Sequence, residues 1–333
     1  EEERLRFLDF KQNPQAINPP WNYVYSANNQ PDSILGKLYP GYYLPENRAK
    51  RIVELLEVKN DWDRKTVSKM ILDVTSAVNP SIVTEFIKAI DISEFTEQQL
   101  SALDVLKNWK GNYDKESVGA TLYHRCEYYA LKHIFEDELG ADMFQDLMGT
   151  HLMKRQVVHG PKKQYRIWRD NIHTKDIEED MSHIATKSFG EAWNSLAEDF
   201  GDDHSTWHWE KVHSLEHNHP IGQVEALRTY FNVGPFPVHG SREVINNMMF
   251  SYDSTGYYKV SSGPSTRRIV DFSDVENSIS ILPTGQSGNP LSRYYKDQAE
   301  MFVNGEFRNL MMINTEFIES ANSKLEFMPV SND

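Results

Sequence analysis

From about residue 46 onward, apolar residues recur with the period of a helix. Between Arg48 and Val58, Ile52, Leu55 and Leu56 share one face, and Val67, Met70, Ile71 and Val74 repeat the arrangement. Ile82, Phe86, Ile87 and Ile90 predict a third helix, and Thr96-Glu97-Gln98-Gln99 reads as a capping box ahead of Leu100, Leu103 and Leu106. Longer helical patterns cross 117–138 and 178–200, separated by a basic, irregular stretch around Lys154–Arg169. Before residue 46 the pattern differs. Pro14, Pro19, Pro20, Pro31, Pro40 and Pro45 break any helix there, while Trp21-Asn22-Tyr23-Val24-Tyr25 has strand composition. After Gly201, Gly, Pro, Ser and Asn become frequent, and strand-like runs appear at Tyr257–Val260, Arg267–Phe272 and Ile279–Leu282. The expected plan is an α+β chain in three segments: core strands and turns over 1–45, a mainly helical region over 46–204, and a β-rich region over 205–333.

Composition narrows the function more than the fold. At 333 residues the chain can bury a sizeable core. Forty-nine acidic against thirty-five basic side chains give a net charge of −14, a field that repels a phosphate backbone and argues against nucleic acid as a partner. Aromatic residues reach 12%, enough to line an apolar ligand pocket. Cys126 is the only cysteine, which rules out an intrachain disulfide and a multi-cysteine metal site. No apolar run approaches the ~18 residues needed to cross a bilayer. The charged start, Glu1-Glu2-Glu3-Arg4, lacks the apolar stretch of a signal peptide. That start, without Met, reads as the end of a processed product.

Common catalytic motifs do not fit. No Gly-rich phosphate loop is present, and neither Gly263-Pro264-Ser265 nor Gly285-Gln286-Ser287-Gly288 forms a G-x-S-x-G elbow. The histidines are the strongest local alternative. His204, His208, His213, His217 and His219 lie close together, and His213-Ser214-Leu215-Glu216-His217 matches the H-x-x-E-H zinc-peptidase string. That chemistry requires both histidines on one helical face with the carboxylate as base. Pro220 and Gly222 follow at once, and Trp207, Trp209, His213, Leu215 and His217 alternate as on one face of a strand. The expected reading is packing within a strand, with a zinc hydrolase as the alternative.

An ordered set of motifs points elsewhere. Trp209-Glu210-Lys211-Val212-His213 followed by His219-Pro220-Ile221-Gly222 resembles the W-G-x-x-H…H-P-L-G segment of penicillin acylases. Gly263-Pro264-Ser265-Thr266-Arg267-Arg268-Ile269-Val270-Asp271 is similar to their G-x-S-x-R-x-x-x-D strand. Gly285-Gln286-Ser287-Gly288, Ser292 and Tyr295-Lys296-Asp297-Gln298 resemble G-Q-S-G…S…Y-x-D-Q. Ala27-Asn28-Asn29-Gln30-Pro31, with Arg48-Ala49-Lys50-Arg51-Ile52, resembles N-N-x-P…R-x-x-R-I. On these motifs, running from about residue 19 to 310, the chain is identified as similar to the later part of the β chain of a penicillin-acylase-type N-terminal-nucleophile (Ntn) hydrolase.

The resemblance implies an αββα sandwich, here partial, with a helical arm. It also implies an autoproteolytic precursor whose β chain begins with Ser, a heterodimer with an α chain, periplasmic export and, commonly, a structural calcium ion without any organic cofactor. The implied reaction is cleavage of the amide bond of N-acylated small molecules such as penicillins or N-acyl-homoserine lactones. The Ser hydroxyl would attack, and its own α-amine, with an ordinary pKa of roughly 7.7–8.0, would act as base. Because the chain begins with Glu1, the nucleophile is expected on another chain or segment, through a second cleavage. By resemblance Asn28 contributes an oxyanion-hole amide and Arg48 positions the Asn and the substrate. Read on the residues alone, Asn28 is turn chemistry and Arg48 a first-turn arginine on a solvated face. Arg51, Arg267, Asp271, Ser287, Tyr295 and Asp297 read as scaffold. Asp32 is a candidate calcium ligand, with a surface carboxylate the plainer reading and the metal residues unassigned. A non-catalytic, acylase-derived binding module is a further alternative.

Overall fold

The computed structural model describes residues 9–33, 36, 38–150, 167–310, 319 and 325–328. The helical elements are α1 (Asn47–Glu57), α2 (Arg64–Ile71), α3 (Asn79–Ala89), α4 (Glu97–Asn108), α5 (Val118–Met148), α6 (Met181–Phe200), α7 (Glu225–Phe231) and α8 (Ala299–Val303). The strands are β1 (His213–His217), β2 (Val233–Pro237), β3 (Tyr258–Lys259), β4 (Arg267–Ile269), β5 (Ile279–Ile281) and β6 (Arg308–Asn309). They form two compact units. One comprises Glu1–Asn60 with Leu72–Gly263, the other Asp61–Ile71 with Pro264–Asp333. The fold is α+β, as expected. Among the described residues no helix is long and apolar enough to cross a membrane.

The larger unit is organised around α5. Its first five turns bury residues on every side, including Leu122, Tyr123, Leu131 and the polar His124, Arg125 and Glu127, so this helix is enclosed rather than amphipathic. Helices α3, α4 and α6 contribute Phe86, Leu106, Phe189 and Leu196 to the same core. Gly119 allows the close approach at its start, since a Cβ there would stand 2.5 Å from the Trp109 ring. The helical run is interrupted at Gly140, whose φ of +75° is freely available to glycine alone. The predicted capping box is present: Thr96 Oγ1 accepts from the Gln99 amide, and the Gln99 side chain accepts from the Thr96 amide. On the other side of the core, β1 pairs antiparallel with β2 and parallel with β3, giving the order β2-β1-β3.

In the smaller unit α2 packs beside β4, and β4-β5-β6 form an antiparallel sheet. Arg267 is buried there, with Nη1 donating to the Phe302 carbonyl at 2.6 Å and its guanidinium 3.9 Å above the Phe302 ring. Burial draws its pKa down to about 10. Asp271 accepts from the Ser273 amide and hydroxyl, and Asp297 meets Arg308 at 3.1 Å.

Two local expectations are corrected. Trp21–Tyr25 forms no strand: Asn22 takes a left-handed φ of 62°, and Trp21, Val24 and Tyr25 are exposed, so no neighbouring backbone completes a ladder. The strand predicted through Trp207–His217 begins only at His213, because Trp209–Lys211 is a 3-10 turn that carries Trp209 into the core. Most of the basic stretch Lys154–Arg169 lies outside the described residues; its end, Ile167–Arg169, is a 3-10 turn.

Candidate functional site

Asn28 sits at the tip of a tight turn with φ at +61°, a conformation that asparagine tolerates better than other non-glycine residues. Its neighbours hold it there. The Ala27 amide donates to Asn29 Oδ1 at 3.2 Å, and the Leu44 amide donates to the Asn28 carbonyl at 2.7 Å. Asn29 and Leu44 form a parallel bridge, which brings residue 44 alongside the turn just before α1 starts. Arg48 is the second residue of α1 and reaches back across this junction. Its Nη2 donates to the Ala27 carbonyl at 2.9 Å and to Asn28 Oδ1 at 3.2 Å. Ala27 is buried, Arg48 half-buried and Asn28 exposed.

This contact fixes the carboxamide. Guanidinium only donates, so the atom facing Arg48 is the amide oxygen and the NH₂ points outward. Among the described residues, Asn28 Nδ2 meets no hydrogen-bond partner. Burial lowers the pKa of Arg48 below its usual value, and a guanidinium remains protonated at neutral pH. The result is an open, uncharged donor polarised by a cation on its oxygen.

A cavity of about 570 Å³ adjoins this turn. Its wall includes Asn29, Gln30, Leu44, Asn47, Glu127 and Glu243. Asn47 Nδ2 donates to Glu243 Oε2 at 2.7 Å and lies 3.5 Å from Asn79 Oδ1, while Asn79 Nδ2 donates to the Tyr113 hydroxyl at 2.7 Å. Glu127 accepts from the Tyr252 hydroxyl and lies 3.2 Å from His124 Nδ1. Burial and the charge of Glu127 raise the pKa values of Tyr113, Tyr123 and Tyr252 well above the ordinary phenol value, so all three stay neutral. None of this network carries a motif, and Glu243 lies 196 positions from its partner. Only the adjacency of Asn47 to Arg48 was visible in the sequence.

The histidine string does something else. His213 is fully buried, stacked 4.7 Å from Trp209 at 25°, and its Nδ1–H donates to the Tyr258 carbonyl at 2.7 Å. Burial pushes its pKa down to about 3, so the ring is neutral. Glu216 points the other way along β1 and takes Arg228 in a two-point contact at 3.0 and 2.6 Å. At strand rise, His213 and His217 stand roughly 13 Å apart. The zinc alternative is therefore corrected, since a strand cannot bring the pair to one ion. Among the described residues, no three His, Cys, Asp or Glu side chains come together to hold any metal. Asp32 is exposed. Arg51 grips Asp73 at 2.9 and 2.8 Å and is a structural tie.

The architecture is that of the Ntn hydrolases. A thermostable penicillin G acylase from Alcaligenes faecalis superposes with a TM-score of 0.56 at 15% identity, covering 99% of this chain and 61% of that one. A penicillin amidase family profile matches residues 1–318, and the chain belongs to that family. An acyl-homoserine lactone acylase QuiP from Pseudomonas syringae pv. syringae (strain B728a) is 27% identical over 328 residues, covering 91% of this chain and 39% of the relative. A QuiP from Pseudomonas aeruginosa is 24% identical over 338 residues, covering 88% and 38%. The chain thus spans about two-fifths of the length of these relatives.

Proposed function

We propose that this chain supplies the oxyanion-stabilising side of an amidohydrolase that cleaves N-acylated small molecules into a carboxylic acid and an amine. The observation that carries the reading is the Arg48 contact, which turns the Asn28 carboxamide so that its NH₂ faces open space. A hydroxyl from an N-terminal Ser, on another chain or segment, attacks the acyl carbon and passes its proton to the Ser α-amine. The carbonyl oxygen becomes an oxyanion, and Asn28 Nδ2 donates to it; the amine then leaves with a proton. Water repeats the sequence on the acyl-enzyme and releases the acid. An amide suits this role because it donates without charge and does not titrate.

The names of the relatives favour N-acyl-homoserine lactones as substrates, with penicillins as the second class to assay. The proposed partners are an acylase α chain and the β-chain portion bearing the Ser, in the periplasm. A structural calcium ion in this assembly is part of the proposal, with its ligands unassigned, and no step depends on it.

The test uses the full-length processed enzyme, with release of free homoserine lactone as the readout. Asn28→Ala is expected to lower kcat by about 10²–10³, the usual cost of one oxyanion donor. Equal turnover by the variant and the native enzyme would overturn the assignment.

A further inference from the structure

Helix α1, which carries Arg48, is tied to one short loop directly at its first residue and through Asp73 one turn later. At its first residue, Asn47 Nδ2 donates to Glu243 Oε2 at 2.7 Å, with both residues more than nine-tenths buried. One turn later, Arg51 holds the Asp73 carboxylate, and the Asp73 carbonyl accepts from the Asn246 amide at 2.9 Å. Residues four apart lie on the same helical face, so Asn47 and Arg51 share one edge of α1, Asn47 reaching the Ser241–Asn247 loop directly and Arg51 through Asp73.

That loop is fixed in its own right. Ser241 and Asn247 form a parallel bridge, Asn247 Nδ2 donates to the Arg242 carbonyl at 3.1 Å, and the Met248 amide donates to the Ser241 carbonyl at 2.9 Å. Gly240 enters it with φ at +96°, so near the Asn246 carbonyl that a Cβ would stand 2.3 Å away. Local capping does not hold the start of α1, because the N-cap Glu46 makes no side-chain cap hydrogen bond. The buried Glu243 carboxylate beside the first turn supplies that restraint and sits at the favourable end of the helix dipole.

Arg48 follows Asn47 directly, and its grip on Asn28 depends on where the first turn of α1 lies. We propose that Glu243, acting through Asn47, is a positioning residue for the Arg48–Asn28 pair, so that the Ser241–Asn247 loop sets the orientation of the oxyanion amide. This inference rests on the reading of Asn28 given above. In this proposal Glu243 acts through the helix.

The experiment measures kcat and KM of the full-length processed enzyme on an N-acyl-homoserine lactone for Glu243→Ala, Glu243→Gln, Arg48→Ala and the Glu243→Ala/Arg48→Ala double variant. Glu243→Ala is expected to lower kcat roughly tenfold to a hundredfold with KM unchanged, as misplacement of a catalytic amide does. Glu243→Gln keeps an acceptor oxygen for Asn47 and should recover most of the loss. The double variant should be no slower than Arg48→Ala alone, because both changes act at one contact. Losses that multiply, an effect on KM with kcat preserved, or no effect of Glu243→Ala would each overturn the proposal. If Glu243→Ala does not fold, Asn47→Ala takes its place in the same cycle. Full turnover by Asn28→Ala defeats the functional reading and this inference with it; loss of activity in Asn28→Ala and Arg48→Ala beside multiplying losses in the cycle defeats this inference alone.

Discussion

Asn28 stands exposed at a turn tip with its amide N–H pair facing out, whereas His213 is enclosed between Trp209 and Phe250 with its proton committed to a backbone carbonyl. Both belong to polar stretches that read as chemistry along the sequence. The histidine stretch has the denser set of reactive side chains, yet His213 Nδ1 is committed to the Tyr258 carbonyl, Glu216 to Arg228 and His219 to the Ile221 amide, while the Nε2 atoms of His213 and His217 are buried away from solvent. In the asparagine stretch the Asn29 and Gln30 carboxamides are engaged with neighbouring backbone, and the Asn28 carboxamide is engaged through its oxygen. The difference is exposure: Asn28 is held in position with one functional atom open to solvent, whereas the unpartnered ring atom of His213 is sealed in the core. Density of titratable groups is a poor guide, because burial and pairing consume them.

The comparison can be tested from either side. The largest expected effect falls on the enclosed cluster. Trp209→Ala removes a fully buried ring stacked on His124, His213 and Tyr258, and should cost about 3–5 kcal/mol of unfolding free energy in denaturant titrations. Turnover per folded molecule should hold; a collapse of kcat in the folded fraction would place the cluster in the chemistry.

Asn28→Asp tests the open side. The carboxylate can still accept from Arg48 but presents no N–H and repels a developing oxyanion, so kcat should fall by at least the ~10²-fold typical of losing one donor, with little change in thermal midpoint. A variant as active as the native enzyme would remove the reason to single out the turn.

A third test uses pH. The pKa of His213 falls from 6.5 to about 3 on folding, so between those values the unfolded chain takes up a proton that the folded one refuses. Its contribution is therefore complete above about pH 6.5 and lost as the pH falls toward 3, at a slope of up to about 1.4 kcal/mol per pH unit. His213→Phe should flatten the acid limb relative to the native protein; identical acid limbs would contradict a neutral, buried imidazole.

The smallest effect belongs to Glu216, the residue that a zinc peptidase would use as base. Glu216→Gln weakens a partly exposed pair with Arg228 and should cost about 1 kcal/mol or less, with no loss of activity. A large drop in kcat would reopen the metal reading.

Much of this protein was legible from order along the chain. Helix period and the Thr96–Gln99 box placed α1 to α6 because hydrogen bonds and caps act between residues three or four apart. The ordered motifs identified the family, and the family profile covers residues 1–318. Strand composition at Trp21–Tyr25 misled, since a strand exists only where a partner backbone lies beside it. Which way the Asn28 amide faces, and whether His213 or Glu216 is free to react, was settled only in three dimensions. Those outcomes depend on contacts between residues 20, 45 and 12 positions apart, and the clamp on α1 on one spanning 196. No local propensity encodes such distances; they follow from the path of the whole backbone and from what burial does to charge along it.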